Sequence, residues 1–391
     1  MKFFRFLLRF IVSIVIASIL ICLGLWLSGN IHLIKAVRST YLVGKTGPTI
    51  DDYPKFINRR VEAGKHTPWS KRSKFKNKII NKETLAKIEQ WETSALFILE
   101  GGKVAYEHYW DDYSEESLTN SFSVAKSFTA LCIGKAIEEG FIQSLDQKVA
   151  DFIPEFQTDE KAKITLRHLL SMSSGIDFGE SYGDPFGFMA KAYYGTDLYD
   201  LTVNKAVKDR AGEIWKYQGG NTLLLSFVIK EATGLSLSNY FSNKFWKPLG
   251  ASQDALWSLN KEGGLERSYC CFYSNASDYA RIGQMILDSG QWDGKQIIAT
   301  RFLEESFQAV MLPSEANKNI DYYGLHWWLG DYQGVEFKYA RGIQGQYIVV
   351  IPDWDMVIVR LGHKRDPEKG VRIPKDLFVY LEAGKEITER D

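Results

Sequence analysis

The sequence predicts a mixed α/β protein in which the two ends of the soluble part build one sheet and a helical segment is inserted between them. Three observations predict this organisation. Residues 10–31 are uncharged and apolar, strand-like runs occur near residues 94–110 and 337–361, and the middle of the chain, about 145–265, has a helical pattern broken by glycines. Strands at both ends with helices between them fit a sheet closed by the ends of a domain.

The composition is that of a globular protein with a sizeable core. The 391 residues are 45% hydrophobic, 14% aromatic and 25% charged, and four cysteines are too few for a disulfide scaffold. Lys and Arg total 48, as do Asp and Glu, so bulk charge does not favour a nucleic-acid binder. Residues 1–82 nevertheless hold 16 Lys and Arg against 3 Asp and Glu, which indicates a separate role for this part.

The N-terminal segment, residues 1–31, predicts a retained membrane anchor. Residues 10–31 carry no charge and, at 1.5 Å per residue, are long enough to cross a hydrocarbon core of about 30 Å. A cleaved signal peptide is the alternative, although its apolar region is commonly about 7–15 residues long and Leu27-Ser28-Gly29 is a poor cleavage site. Lys and Arg are equally frequent on the two sides, so charge gives no orientation.

Residues 32–84 are interpreted as a basic tether, and regular structure is expected to begin near Leu85. The basic run at residues 71–78 either rests on anionic lipid head groups or is a solvated part of this tether. The soluble domain is then expected over residues 85–391, where two strand-like runs flank the turn Gly101-Gly102.

Metal and nucleotide chemistry have little support in the sequence. The six histidines form no pair at metal-ligand spacing, and the four cysteines form no C-x-x-C pattern. Gly44-Lys45-Thr46 lacks the upstream glycine of a phosphate-binding loop. Cys270 and Cys271 are adjacent, so we expect them not to bond to each other and to be small buried hydrophobic residues.

A serine and a lysine three residues apart form the strongest catalytic candidate. S-x-x-K occurs at Ser73–Lys76, Ser123–Lys126 and Ser258–Lys261, but only the second opens an apolar helix, expected over residues 123–139. Residues three apart share a helix face, and burial favours a neutral lysine that can accept the serine proton. A helix N-terminus also offers N–H groups to developing negative charge. The alternative is a helix-capping serine with a lysine that extends to solvent.

Two further segments carry candidate residues. Tyr217 lies directly before an apolar helix, and a tyrosine beside a lysine can pass a proton between Ser123 and a leaving group. The alternative is an ordinary core tyrosine. Glycines on both sides of Ile343 let the backbone approach closely before the next strand. The N–H of Ile343 is therefore a candidate oxyanion donor.

These segments, in this order, resemble the serine β-lactamase and penicillin-binding-protein superfamily. The resemblance is closest to the class C-like branch, which includes esterases, D-aminopeptidases and 6-aminohexanoate-dimer hydrolase. It covers about residues 85–385, including the run at 324–328. It implies an α+β, β-lactamase/transpeptidase-like fold, with an antiparallel sheet flanked by helices and an all-helical subdomain. It implies no metal or organic cofactor.

The resemblance also implies roles for individual residues. Ser123 corresponds to the nucleophile, Lys126 to its lysine and Tyr217 to the proton-shuttling tyrosine. The backbone N–H groups of Ser123 and Ile343 correspond to the two oxyanion donors.

Two motifs depart from the β-lactamase pattern. The second motif of β-lactamases is Tyr-x-Asn, but Gly219 occupies the Asn position here. Ala340-Arg341-Gly342 replaces the usual third motif. Both departures argue against efficient β-lactam hydrolysis. Gly219, Arg341 and Gly342 are candidate substrate-binding residues, and Arg341 either pairs with a substrate carboxylate or forms a structural salt bridge.

The sequence therefore predicts a membrane-anchored serine hydrolase that cleaves a small-molecule or peptide-like amide or ester through an acyl-enzyme. The alternatives are a D,D-peptidase or penicillin-binding activity on peptidoglycan, and an anchored binding or sensor domain without catalysis. Because such relatives usually work outside the cytoplasm, we expect a single-pass protein of the plasma membrane with its catalytic domain in the periplasm. Its N-terminal helix would contact the lipid bilayer, and neither nucleic acid nor an obligate protein partner is expected.

Overall fold

The computed structural model describes residues 2–72, 80–368 and 372–388. The chain divides into two compact units, a smaller one formed by the N-terminal residues up to Pro48 with Gly179–Leu201, and a larger one formed by the remainder. The α-helices are α1 (Lys2–Leu27), α2 (His32–Ser39), α3 (Lys82–Gln90), α4 (Val124–Glu138), α5 (Leu166–Leu170), α6 (Phe188–Tyr194), α7 (Leu198–Val203), α8 (Gly219–Thr233), α9 (Leu237–Phe241), α10 (Ala276–Leu287), α11 (Thr300–Ser306) and α12 (Lys375–Thr388). The strands are β1 (Asn58–Val61), β2 (Thr93–Glu100), β3 (Lys103–Tyr109), β4 (Thr119–Asn120), β5 (Ala255–Ser258), β6 (Phe272–Ser274), β7 (Gln291–Trp292), β8 (Lys295–Gln296), β9 (Leu312–Pro313), β10 (Asn319–Ile320), β11 (Trp328–Tyr332), β12 (Val335–Gly342), β13 (Gln346–Ile351) and β14 (Met356–Gly362).

A six-stranded sheet forms the centre of the larger unit, with the order β11-β12-β13-β14-β2-β3. Every neighbouring pair is antiparallel, which confirms the expected fold class. The pairing of β14 with β2 joins the two ends of the domain, as the sequence predicts. Gly101 and Gly102 connect β2 to β3 with φ of 56° and 67°, a left-handed backbone that glycine adopts without strain.

Helices cover both faces of this sheet. Successive residues of a strand point to opposite faces, so neighbouring residues of β14 meet different helices. Ile358 lies in one core cluster with Ile88 of α3 and Leu377 of α12. On the other face, a Cβ on Gly283 of α10 would lie 2.5 Å from a methyl group of Val357, so only glycine allows this approach. Burial on both faces explains why β14 is apolar apart from Arg360.

A second sheet has the order β1-β5-β6-β4 and leads into α4. Its edge strand β1 pairs with β5, which places Asn58 opposite Ser258, 200 residues farther along the chain. The expectation that regular structure begins near Leu85 is therefore wrong. A short polar strand such as β1 is stabilised by a distant partner, so its own sequence gives no periodic signal.

The smaller unit contains the N-terminal helix. The segment Phe3–Leu27 is long and apolar enough to cross a membrane, a criterion that a signal sequence would also meet. Within this unit α2 packs against α6, and His32 Nε2 is hydrogen-bonded to the carbonyl oxygen of Pro185 at 2.8 Å. Most of the predicted basic run, residues 73–79, lies outside the described residues together with the pair Ser73–Lys76.

Candidate active site

The backbone that precedes α4 is held in a strained turn. Phe122 has a φ of 45°, which is uncommon for a bulky residue. The Oδ1 atom of Asn120 accepts hydrogen bonds from the N–H of Phe122 at 2.9 Å and from that of Cys271 at 3.1 Å. Ser123 follows this turn and directly precedes α4, as predicted. Strained backbone of this kind is concentrated at functional sites, and Asn120 is a contributor that sequence analysis missed.

Ser123 and Lys126 are in direct contact. Nζ of Lys126 donates a hydrogen bond to Oγ of Ser123 at 3.0 Å and another to the carbonyl oxygen of Tyr269 at 2.9 Å. Ser123 makes no capping hydrogen bond with its side chain, and Lys126 is only 1% exposed. The alternative of a capping serine and a solvent-reaching lysine therefore does not describe this pair.

Two aromatic rings enclose the amine of Lys126. Its Nζ lies 4.9 Å from the ring centroid of Tyr217 and 5.6 Å from that of Tyr269. The Tyr217 ring also packs on Trp328, with centroids 5.3 Å apart. The structure thus brings together the three side chains of the predicted Ser–Lys–Tyr set. Tyr269, which sequence analysis missed, contributes both its ring and its carbonyl oxygen.

Gly219 begins α8 beneath the ring of Tyr269. A Cβ atom on Gly219 would lie 3.2 Å from the Cβ and ring carbons of Tyr269. The tyrosine therefore occupies the space that a side chain at position 219 would need. This contact gives a physical reason for glycine at the position where β-lactamases carry asparagine.

The end of β12 lies against the turn that precedes Ser123. A Cβ atom on Gly342 would lie 2.3 Å from the carbonyl oxygen of Ser121 and 3.2 Å from Cβ of Phe122, so only glycine fits. Ile343 is the next residue along the chain. Within the described residues, the N–H groups of Ser123 and Ile343 donate no backbone hydrogen bond of a turn, loop or cap. Both therefore remain candidate donors to an acceptor on a ligand.

The buried side chain of Arg360 holds the turn that follows Ile343. Its Nη1 donates to the carbonyl oxygens of Gln344 at 2.9 Å and Gly345 at 2.8 Å, and its Nη2 donates to that of Trp91 at 2.6 Å. Gln344 and Gly345 have φ of 62° and 83°, so these bonds fix a backbone that is unfavourable for Gln344. Sequence analysis missed Arg360, whose only signal is a charged residue inside the apolar strand β14.

Arg341 packs on an aromatic cluster. Its guanidinium carbon lies 3.7 Å from the ring centroid of Trp328, and its Nη1 is buried without a hydrogen-bond partner in the described residues. Since Nη1 has no carboxylate partner in the described residues, the structure gives no support there to the alternative of a structural salt bridge. Trp328 also contacts a group of aromatic side chains: Trp215, Tyr217, Tyr322, Tyr323 and Tyr339. The guanidinium of Arg341 and the aromatic ring of Trp328 therefore lie beside the Ser–Lys–Tyr set.

Cys270 and Cys271 form a disulfide with each other, so the expectation that they do not bond is wrong. Their expected burial is confirmed, since they are 4% and 0% exposed. Cys271 has a left-handed backbone with a φ of 67°, a conformation that the sequence pattern does not reveal. The disulfide directly follows Tyr269, and the Trp257 indole donates to the Cys270 carbonyl oxygen at 3.0 Å. The disulfide therefore belongs to the loop that carries Tyr269, whose carbonyl oxygen accepts from Lys126.

His326 is a buried histidine that connects α5 to α8. Its Nδ1 lies 2.7 Å from the carbonyl oxygen of Leu170, and its Nε2 lies 2.9 Å from Oγ1 of Thr222. A carbonyl oxygen can only accept, so Nδ1 carries the proton and Nε2 accepts from the threonine hydroxyl. Burial lowers the pKa of His326 to about 3, and the charge of Lys126 acts in the same direction.

This histidine predicts a loss of stability in acid. Below its ordinary pKa of 6.5 the unfolded chain binds a proton that the folded chain excludes until pH about 3. The free energy of unfolding is therefore expected to fall by about 1.4 kcal/mol per pH unit as pH decreases through this window. Urea unfolding of the full chain in detergent, at several pH values, measures the slope.

His326→Asn is the test variant for this slope, because asparagine tolerates the left-handed backbone found here, with a φ of 61°. It should remove the part of the slope that His326 causes. The exposed His66 gives the matched control His66→Asn, which should keep the wild-type slope. Equal slopes in the wild type and His326→Asn would contradict the assignment.

A cavity of about 440 Å³ opens elsewhere on the larger unit. Its lining includes Trp69, Phe97, Glu107 and Ser252, and none of the predicted site residues. Because this cavity is lined by none of the predicted catalytic side chains, we retain the Ser–Lys–Tyr set, and not the cavity, as the candidate active site.

Comparisons with known proteins identify the family and the fold of this chain. The profile of the family described as Beta-lactamase matches residues 84–379. A 6-aminohexanoate-dimer hydrolase of Paenarthrobacter ureafaciens is 26% identical over 306 residues, which cover 72% of this chain and 75% of the relative. The solved structure named "Putative 6-aminohexanoate-dimer hydrolase from Bacillus anthracis" has a TM-score of 0.73 at 21% identity and covers 87% of this chain and 94% of its own. A D-stereospecific amidohydrolase from Streptomyces sp. has a TM-score of 0.59 at 18% identity, with 78% and 98% covered. The structural likenesses establish the fold.

Proposed function

Since the chain belongs to the Beta-lactamase family, we propose that it is a hydrolase that cleaves an amide or ester through an acyl-enzyme on Ser123. The observation that carries this proposal is the 3.0 Å contact between Lys126 Nζ and Ser123 Oγ. Ser123 directly precedes α4, and Lys126 lies in its first turn. A nucleophile within hydrogen-bond reach of its base is the arrangement that acyl transfer requires.

In the proposed mechanism, Lys126 accepts the hydroxyl proton while Oγ of Ser123 attacks the substrate carbonyl carbon. Negative charge then develops on the carbonyl oxygen, which accepts from the N–H groups of Ser123 and Ile343. Tyr217 relays the proton held by Lys126 to the leaving amine or alcohol, which departs as the tetrahedral intermediate collapses to the acyl-enzyme. In the second half-reaction water attacks this ester and gives a proton to Lys126. That proton passes to Oγ as the bond between Oγ and the acyl carbon breaks and the acid is released.

We propose as substrate a small or peptide-like amide or ester with a carboxylate that pairs with Arg341. The unpartnered Nη1 of Arg341 and the aromatic side chains beside it support this assignment. The close approach at Gly342 supports binding of the substrate backbone or carbonyl along the end of β12. The names of the relatives, a dimer hydrolase and an amidohydrolase, favour an amide. Because Tyr269 fills the space above Gly219, we expect slow β-lactam hydrolysis.

The proposed location is the plasma membrane, with α1 retained as a single-pass anchor and the catalytic domain on the periplasmic side. The length and apolar composition of Phe3–Leu27 support the anchor. A reporter fused to the C-terminus tests the orientation.

The proposed nucleophile is tested by labelling the full chain in detergent with a fluorophosphonate and measuring its intact mass. We expect one adduct that maps to Ser123 and is lost in Ser123→Ala, with an unchanged melting temperature. Ser258→Ala is the matched control, because this serine also begins an S-x-x-K pattern but its hydroxyl donates to Asn58 at 2.8 Å. This control should keep the adduct.

The other outcomes of this experiment distinguish the alternatives. An adduct that persists in Ser123→Ala would contradict the assignment of the nucleophile. A folded wild-type protein without an adduct would favour a binding or sensor domain. Stable acylation by penicillin without ester turnover would favour a penicillin-binding activity on peptidoglycan.

A further inference from the structure

Exposed apolar side chains are concentrated in the smaller unit. Outside α1, ten large hydrophobic side chains of the described residues are exposed, and seven of them belong to this unit. We call these seven the juxtamembrane surface: Ile31, Val37, Tyr41, Leu42, Val43, Tyr182 and Phe186. Exposed apolar side chains concentrated in one part of a folded protein mark a site that binds another protein, a ligand or a membrane.

The juxtamembrane surface continues from the end of α1. Ile31 lies four residues after Leu27, the last residue of α1. The next residue, His32, is 4% exposed and its Nε2 is hydrogen-bonded to the Pro185 carbonyl oxygen at 2.8 Å. Pro185 lies between Tyr182 and Phe186, which are 60% and 55% exposed. This hydrogen bond therefore fixes two exposed aromatic rings beside the chain that leaves the apolar helix.

The chemistry of this surface fits the interfacial region of a bilayer. Tyrosine is enriched where lipid chains meet head groups, and phenylalanine and leucine are typical of the membrane-facing side of segments that lie in this region. The exposed Arg38 and Lys45 lie next to the apolar residues, as in segments that rest on lipid head groups. Segment 179–201 also carries acidic residues: Asp184 accepts from the Phe186 N–H at 2.9 Å, Glu180 accepts from the Tyr182 hydroxyl at 2.8 Å, and Asp197 and Asp200 are exposed.

We propose that the juxtamembrane surface lies in the head-group region of the bilayer that α1 enters. Segment 179–201 then forms a second membrane contact, separate in sequence from the anchor. Because Phe178 and Thr202 on its two sides belong to the larger unit, the hydrolase chain is attached to the membrane at two places. This inference rests on retention of α1 and does not depend on the catalytic assignment.

The depth of Phe186 in a bilayer tests the proposal. The full chain carrying Cys22→Ala and Phe186→Cys is labelled with an environment-sensitive fluorophore and reconstituted in phosphatidylcholine vesicles. Cys132 is buried and the remaining two cysteines are bonded, so the new thiol is the site of labelling. Lipids with a nitroxide near the head group should quench this label at least about twofold more than a label at Phe141→Cys, a phenylalanine of the larger unit that is 47% exposed.

A label on the native Cys22, within α1, reports insertion of the anchor. Quenching of this label by a nitroxide deep in the acyl chains, together with shallow quenching at position 186, is the expected result. Deep quenching at Cys22 with no excess quenching at 186 would overturn the proposal and leave the anchor intact. An unquenched Cys22 label would overturn both the retained anchor and the proposal that depends on it. Self-quenching between labels at 186 without quenching by lipid would instead identify a second copy of the chain as the occupant.

Discussion

Replacing Lys126 by Met is expected to lower kcat/KM for a small ester by about 10²–10⁴-fold, the range of a lost general base. Methionine has nearly the same length and fills the same buried space, but it has no group that can accept the proton of Ser123. The rate of fluorophosphonate labelling should fall with the turnover rate, because both reactions need the same activated oxygen. Steady-state ester kinetics and labelling time courses provide the two measurements.

Two further variants separate the chemistry from charge and packing. Lys126→Arg keeps a positive charge, yet the guanidinium cannot accept a proton at working pH, so this variant should be as slow as Lys126→Met. Lys135→Met changes another lysine of α4, whose Nζ pairs with Glu138 at 2.7 Å, and should retain full activity. If Lys126→Met labels at the wild-type rate while folded, Lys126 is not the base.

Replacing Arg360 by Met is expected to reduce the free energy of unfolding by about 3–5 kcal/mol, because several buried carbonyl oxygens lose a charged donor. Those of Gln344 and Gly345 belong to the turn after Ile343, whose N–H is the proposed oxyanion donor at the end of β12, here called the oxyanion edge. This edge should therefore also lose its fixed position. An N–H that acts mainly in the transition state should affect kcat more than KM. Urea unfolding and ester kinetics below the melting temperature of the variant measure the two effects.

Matched variants distinguish a positioning role from general destabilisation. Arg372→Met removes a more exposed arginine that pairs with Asp321 at 3.3 Å, and it should cost at most about 1 kcal/mol. Arg360→Lys keeps a buried charge with fewer fixed donors, so its kcat should lie between those of the wild type and Arg360→Met. An unchanged kcat in folded Arg360→Met would show that this arginine does not position the oxyanion edge.

The sequence does not predict β11, which contains Gly330 and Asp331. It predicts the other strands of the central sheet from their apolar runs, which burial on both faces explains for β2, β13 and β14. The helix α4 is predicted for the same reason, since most of its residues are buried. The strand β1 has the sequence Asn-Arg-Arg-Val and is stabilised by pairing with β5, so no local periodicity reveals it. Long-range pairing of short polar segments is the part of the fold that pattern analysis misses.

The residues of the candidate site also fall into two groups, those that the sequence indicates and those that only the structure reveals. Ser123, Lys126 and Tyr217 are found from residue type and spacing, because their side chains would carry the chemistry. Tyr269 meets Lys126 through its carbonyl oxygen, a group that every residue has, so its sequence position gives no signal. The left-handed backbones of Phe122 and Cys271 also have no signal in the sequence, because neither is a residue type that favours this conformation.

The pairing of β2 with β14 also sets an order of events during synthesis of the protein. Ser123 and Lys126 leave the ribosome early, whereas β14 and the turn fixed by Arg360 are made near the end of the chain. Bringing such distant strands together carries a loop-closure cost that must be met before the sheet is stable. Until then β2 exposes an unpaired apolar edge, which favours aggregation or chaperone binding. Completion of the chain and assembly of the proposed oxyanion edge therefore coincide, so a truncated product would be a target for proteolysis before this edge could form.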